Sequence, residues 1–178
     1  KRLMKYLFFD IECADGGKAT ICSFGYVIAD MDFNILDHDD IIMNPEGRFY
    51  LTGRAGRPDV NLAYPMEYFK KAPNFKAFHS RIKELVENEE YYVVGHSVRD
   101  DVTYLNKACA RYKLEPFKFK FFDTQKMFKE ITGEKKQKSL ENALLAMEVN
   151  EFFISHRSDE DARATMMLLE ALLRKTNM

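Results

Sequence analysis

The sequence predicts an α/β domain built on a five-stranded mixed sheet flanked by helices. Three observations carry that expectation. Three strand-like stretches with short connections open the chain, at 5–11, 20–29 and 34–43. Helical and strand patterns then alternate, with helices over 75–88 and 98–112 around strands at 91–95 and 117–122. Helices close the chain near 124–131, 139–147 and 159–175. Short connections favour an antiparallel meander, whereas helix–strand alternation implies parallel crossovers.

The first strand, Lys5 to Ile11, is almost continuously apolar and aromatic, as a strand buried on both faces requires. Asp15-Gly16-Gly17 is a turn. From 44 to 73 the pattern is broken by Pro45, Gly47, Gly53, Gly56, Pro58 and Pro65. A loop of that length in a compact domain is more often functional than idle. Asn74 caps the next helix, where Phe75, Phe78, Ile82, Leu85 and Val86 recur at helical spacing. Val98, Val102, Leu105 and Ala108 form the apolar side of the helix after it. There is no internal repeat, and residues 1–178 read as one domain.

With 46% hydrophobic and 31% charged residues, the composition is that of a soluble globular protein, not a disordered one. A net charge of −1 gives no broad basic face of the kind a high-affinity, non-specific nucleic-acid binder carries. It leaves room for an enzyme whose metals hold a phosphate. Cys13, Cys22 and Cys109 form no CxxC pair, which points to a reducing, cytoplasmic setting. No apolar stretch approaches the roughly 18–20 residues of a membrane span. The basic start is followed by an apolar run that stops at Asp10, too soon for a signal peptide. The chain opens on Lys1 rather than Met, as a trimmed sequence or a domain of a longer protein would.

Asp10 and Glu12 lie two apart on a strand, so both point to one face with Cα atoms roughly 6–7 Å apart. Two carboxylates sharing a small volume repel unless a cation lies between them, and hard divalent ions suit such oxygen donors. A strand that simply ends in solvent is the other reading of an Asp-x-Glu. Against it stands the apolar character of this strand. His96 and Asp101 sit at a strand end and in the helix after it, where α/β proteins bind ligands. Asp100 rivals Asp101, since one residue turns a helix by about 100°. Asp101 shares a face with Tyr104, Leu105 and Ala108. Ordinary first-turn acidity, favoured by the helix dipole, accounts for either residue equally well. His156 and Asp161 flank the start of the last helix, with Ser158 or Asp159 as its N-cap. A histidine beside a metal site can take a proton from water near neutral pH.

Together, Phe9-Asp10-Ile11-Glu12, Gly95-His96-Ser97 with Asp101, Tyr104 and Leu105, and His156 with Asp161-Ala162 resemble the three motifs of the DEDDh 3′–5′ exonucleases. The resemblance covers nearly the whole chain. Phe122-Asp123-Thr124 and the stretch from Ser139 to Leu144 resemble the family's segments between the second and third motifs. The family register selects Asp101 over Asp100. The resemblance implies an RNase H-like fold, with Asp10, Glu12, Asp101 and Asp161 as metal ligands and His156 as general base. It implies two ions, Mg2+ or Mn2+, clamping the scissile phosphate. The implied substrate is single-stranded or 3′-terminal DNA or RNA, and the products are nucleoside 5′-monophosphates. A homodimer, or membership of a larger polymerase or repair assembly, belongs to the same expectation, as does the absence of a membrane partner. A non-catalytic binding module would usually lack one of the ligands, and none is missing.

The chain departs from the family pattern in places. Ser97 stands where many members carry Asn against the terminal nucleotide. Cys13 follows Glu12 where Thr or a small residue is common, its backbone remaining available to a 3′-hydroxyl. Counting back from Ala72-Pro73-Asn74-Phe75 puts Tyr64 in place of an aliphatic wedge against the last base, and a tyrosine face stacks on any base. The alternative packs Tyr64 and Tyr68 on the helix at 75–88. Cys13, Tyr64, His96 and Ser97 are thus the expected substrate contacts, and Phe24 is read as core, the alternative being that it lines the base pocket. Lys135, Lys136 and Lys138 either guide a nucleic-acid backbone or belong to a solvated loop. Arg54 and Arg57 invite the same two readings.

Overall fold

The computed structural model describes residues 3–15, 20–49, 62–154 and 156–177. Strands β1 (Lys5–Cys13), β2 (Ile21–Ala29) and β3 (Ile35–Ile42) form the antiparallel meander. β4 (Tyr91–Gly95) joins parallel to β1, and β5 (Phe122–Asp123) parallel to β4. The order across the five-stranded sheet is β3-β2-β1-β4-β5, so β1 lies at its centre. The helices are α1 (Met66–Lys71), α2 (His79–Val86), α3 (Val98–Arg111), α4 (Thr124–Thr132), α5 (Leu140–Ala146) and α6 (Ser158–Thr176). Most predicted boundaries agree to within a residue or two.

Strand alternation sorts β1 between two cores. Leu7, Phe9 and Ile11 pack with Phe24, Ile82, Val98 and Leu105 on the side of α2 and α3. Tyr6 and Phe8 pack with Val27, Ala162, Met166 and Leu169 on the side of α6. A third cluster, including Phe128, Leu144, Leu168 and Leu172, binds α4, α5 and α6 together. Each fully buried Phe or Leu contributes roughly 1.5–3 kcal/mol. Asp10 and Glu12, in register with Tyr6 and Phe8, continue the α6 side at the carboxyl end of β1.

The close seat of α6 depends on Gly25. A Cβ there would lie 2.0 Å from the Asp159 nitrogen and 2.1 Å from the Ser158 carbonyl carbon. The buried hydroxyls of Ser23 and Ser158 hydrogen-bond across the same contact. Gly25 pairs with Asp10 and Ser23 with Glu12 in the β1–β2 register. The first turn of α6 therefore lands beside the two acids of β1.

Three expectations need correction. The stretch 117–122 does not form a strand over its length; only Phe122 and Asp123 pair with β4. The amides of Phe117 and Lys118 instead donate to Asn106 Oδ1 at 2.8 Å and Glu87 Oε2 at 2.9 Å, which removes them from any ladder. The helix expected over 75–88 is divided: Asn74 caps a 3₁₀ turn at Phe75–Ala77 by accepting from Lys76 N, and α2 starts at His79. The 44–73 stretch contains α1. Its residues 50–61, with Arg54 and Arg57, and Gly16 and Gly17 of the early turn lie outside the described residues. The cysteines Cys13, Cys22 and Cys109 are free. Among the described residues no helix is long and apolar enough to cross a membrane.

Candidate active site

The carboxyl ends of the parallel strands β1, β4 and β5 open onto one edge, and the predicted acids gather there. Carboxylate oxygens of Asp10, Glu12 and Asp161 all lie within 4.8 Å of one another. Burial, with repulsion from Asp101, Asp161 and Glu12, holds the Asp10 carboxyl well above the ordinary range. Burial and the Glu12 charge push Asp161 up to about 7. A proton shared between Asp10 and Asp161 relieves that repulsion in one way; a divalent cation relieves it in another.

Asp101 stands beside the trio. Burial and the charges of Glu12, Asp100, Asp123 and Asp161 raise its carboxyl. Its Oδ2 is buried without a hydrogen-bond partner, a costly arrangement for a carboxylate oxygen. Asp100 is exposed. The orphaned oxygen and the crowded trio form an all-oxygen donor set that fits a hard divalent cation.

His156 sits at the rim with a backbone φ of 66°, unusual for a side-chain-bearing residue. Its Nδ1 lies 3.8 Å from Glu12 Oε1. The hydrogen bond to Glu12 and the charges of Glu12, Asp161 and Glu141 raise its pKa against partial burial. Asp10, Glu12, Asp161, His156 and His96 line a cleft of about 360 Å³, with Ser139, Leu140, Glu141 and Thr165 completing it.

The predicted substrate contacts are dispersed. Both nitrogens of His96 are engaged, Nε2 with the Lys138 carbonyl and Nδ1 with the Thr124 hydroxyl, each at 2.8 Å. A carbonyl can only accept, so Nε2 donates to Lys138, and burial lowers the pKa of the ring. His96 therefore offers the cleft a ring, not a free nitrogen. Ser97 adopts left-handed backbone, φ 57°, and its amide donates to Asp123 Oδ1 at 2.9 Å. The Gln125 amide reaches the same oxygen at 2.9 Å, which ties the starts of α3 and α4 together. Cys13 is half-buried, and burial among acids pushes its thiol up to about 12. Tyr64 packs on Tyr68 and Phe69 of α1, not on α2, with the Arg157 guanidinium over its ring. Cys13, Tyr64 and Ser97 lie outside the cleft lining. Phe24 is fully buried and stacked on Phe9, as core.

Sequence reasoning missed Thr165, whose hydroxyl donates to the Asp161 carbonyl at 2.9 Å. Its position one helical turn after Asp161 was the available signal. It also missed the N-cap of α6. Arg157 occupies that position, while Ser158 is spent on Ser23 and Asp159 on Arg157.

The family described as DNA polymerase III subunit epsilon-like, C-terminal domain (DEDDh_C) matches residues 65–172, more than half of the chain. No curated protein matches the chain by sequence. Among solved structures, it resembles the nuclease domain of 3′hExo, a DEDDh family member bound to rAMP. There the TM-score is 0.76 at 16% identity, over 97% of this chain and 92% of that one. A 3′-exonuclease with 3′-end specific recognition of a histone mRNA stem-loop gives 0.78 at 16%, over 98% and 64%. E. coli exonuclease I in complex with a dA16 oligonucleotide gives 0.73 at 16%, over 98% and 42%. The chain thus spans less than two thirds of the latter two. The likenesses establish the fold, the RNase H-like arrangement expected from the sequence.

Proposed function

The chain belongs to the DEDDh family of 3′–5′ exonucleases, and from that premise we propose the chemistry of this site. The chain hydrolyses single-stranded DNA or RNA from the 3′ end and releases nucleoside 5′-monophosphates. One observation carries the reading: three carboxylates from β1 and α6 converge within 4.8 Å. Asp10, Glu12, Asp101 and Asp161 would hold two divalent cations, Mg2+ or Mn2+. Bound there, such ions supply charge stabilisation to the phosphate under attack and to its leaving oxygen.

His156 acts as the general base. It takes a proton from the attacking water, and Glu12, 3.8 Å away, favours the imidazolium that results. A base of this kind supplies roughly 10²–10⁴-fold. Its exposed position lets the proton pass to solvent. The backbone at Cys13, the ring of His96 and Ser97 contact the terminal nucleotide. Tyr64, held over Arg157, meets the strand away from the reacting phosphate. The neighbours bound to rAMP, a stem-loop RNA and dA16 support nucleic acid as the ligand class. The description of the matching family favours a second reading, a proofreading or repair module of a larger assembly.

The test uses matched 5′-labelled single-stranded DNA and RNA with Mg2+ or Mn2+, plus EDTA and Asp10→Asn controls. A ladder shortening from the 3′ end and lost in both controls is expected. Intact strands in the presence of folded protein and metal would overturn the reading.

A further inference from the structure

The loop joining α4 to α5 carries Lys135, Lys136 and Lys138 against one acid, Glu134. Among the described residues none of these three lysines is ion-paired, whereas Lys83 is tied to Glu87 and Glu115. Lys135 and Lys136 are exposed and Lys138 half-buried. With Thr132 and Gly133 they surround an open cavity of about 460 Å³. Three like charges within four positions repel one another, and among the described residues no carboxylate pairs with them.

The loop is nonetheless held at both ends. Gly133 closes α4 in the left-handed region, φ 75°, where glycine is favoured. Ser139 caps α5 by accepting from Asn142 N at 3.2 Å. Between them the Lys138 carbonyl accepts from His96 Nε2 at 2.8 Å and Gln125 Nε2 at 3.0 Å. His96 and Ser139 both line the carboxylate cleft. The basic loop is therefore a continuation of the cleft wall, pinned by a side chain of the cleft itself.

The charge pattern complements a strand with one phosphate at the acids and others outside. The acids can accept a phosphate only through cations, and they repel the remaining backbone. The loop that continues this wall carries cations without an ion pair among the described residues. Arg157, next to His156, is committed to Asp159. We propose that Lys135, Lys136 and Lys138 bind the phosphodiester backbone on the 5′ side of the scissile linkage, which makes the enzyme select oligonucleotides over dinucleotides. The proposal rests on the reading of the cleft as a 3′-exonuclease site. From Lys135 to Ser139 the chain extends at most ~14 Å, a reach that spans several backbone phosphates.

The test replaces all three lysines by Gln in the full chain. KM and kcat are measured on a single strand of about a dozen nucleotides and on a dinucleotide, over a range of salt. KM for the longer strand is expected to rise about tenfold with kcat retained. The slope of log KM against log salt should fall by about 2, from ~0.7 for each neutralised phosphate. Dinucleotide turnover should change less than twofold. An unchanged KM and slope on the longer strand would overturn the proposal. So would an equal loss on both substrates, which would place the lysines in the reacting centre or in folding. A wild-type chain that cleaves neither substrate would instead overturn the exonuclease reading.

Discussion

The Arg157 guanidinium lies over the Tyr64 ring, 5.9 Å from its centroid, while Nε and Nη2 donate to the two oxygens of Asp159. The residue directly after His156 is thereby fastened to both α6 and the segment leading into α1. Asp159 is nearly fully buried and faces His38 Nδ1 at 3.7 Å. Arg157→Ala is expected to destabilise the fold by ~1–3 kcal/mol, because a buried carboxylate loses its bidentate partner. Tyr64→Leu should cost ~0.5–1 kcal/mol and Tyr64→Phe less. Denaturant unfolding measures all three. An Arg157→Ala midpoint equal to wild type would mean that the pair contributes nothing.

Gly25→Ala places a methyl where the backbone of Ser158 and Asp159 already lies. Relieving it means lifting the first turn of α6, and Asp161 with it. A loss of ~1–3 kcal/mol or more is expected, with activity falling further than the lost stability explains. Unfolding curves and turnover on the same preparations decide. A variant as active and as stable as wild type would show that α6 does not need this close seat.

Metal and pH should act on the same cluster. Folded Asp161 titrates near 7 and Asp10 is also raised, against an ordinary aspartate value of 3.8. Groups raised in the fold favour the folded state when protonated, so stability present at low pH is lost as pH rises toward about 7. The melting temperature without divalent ions is expected to fall between about pH 5 and pH 8. Mn2+ or Mg2+ should restore it more at the higher pH, because the ions bind deprotonated carboxylates. Thermal melts across that range check it, and a metal effect larger at the lower pH would contradict the cluster's charge state.

The register of α3 is testable by a paired substitution. Asp101→Asn should lower activity by at least ~10–100-fold while holding or raising stability, since a crowded buried anion is removed. Asp100→Asn, at an exposed position, should stay within about twofold. Reversal of the two would assign the helix face wrongly.

Much of this site was legible because its signals are local. The spacing of Asp10 and Glu12 is a strand property, and it placed both on one face; that this face is the α6 side came only with the structure. Asp101 shares a helix face with apolar neighbours, but spacing left Asp100 as a rival, and only the resemblance to the family's register chose between them. The failures have a different origin. Phe117, Phe119 and Phe121 alternate with lysines as a strand would, yet Asn106 and Glu87 capture the amides that pairing needs. Tyr64 was placed by counting from the Ala-Pro element, which carries no information about an arginine far along the chain. Gly25 reads as an ordinary strand glycine until a helix backbone is seen resting on it.

That resting place has a consequence for how the enzyme comes into being. A chain synthesised as far as α5 contains every strand of the sheet and the acids Asp10, Glu12 and Asp101. It has neither His156 nor Asp161. Because α6 is made after the sheet it docks on, the proposed roles of His156 and Asp161 tie catalytic competence to one of the last packing events of folding. On the proposed reading, a nascent or partly folded copy therefore lacks a complete set of cutting residues.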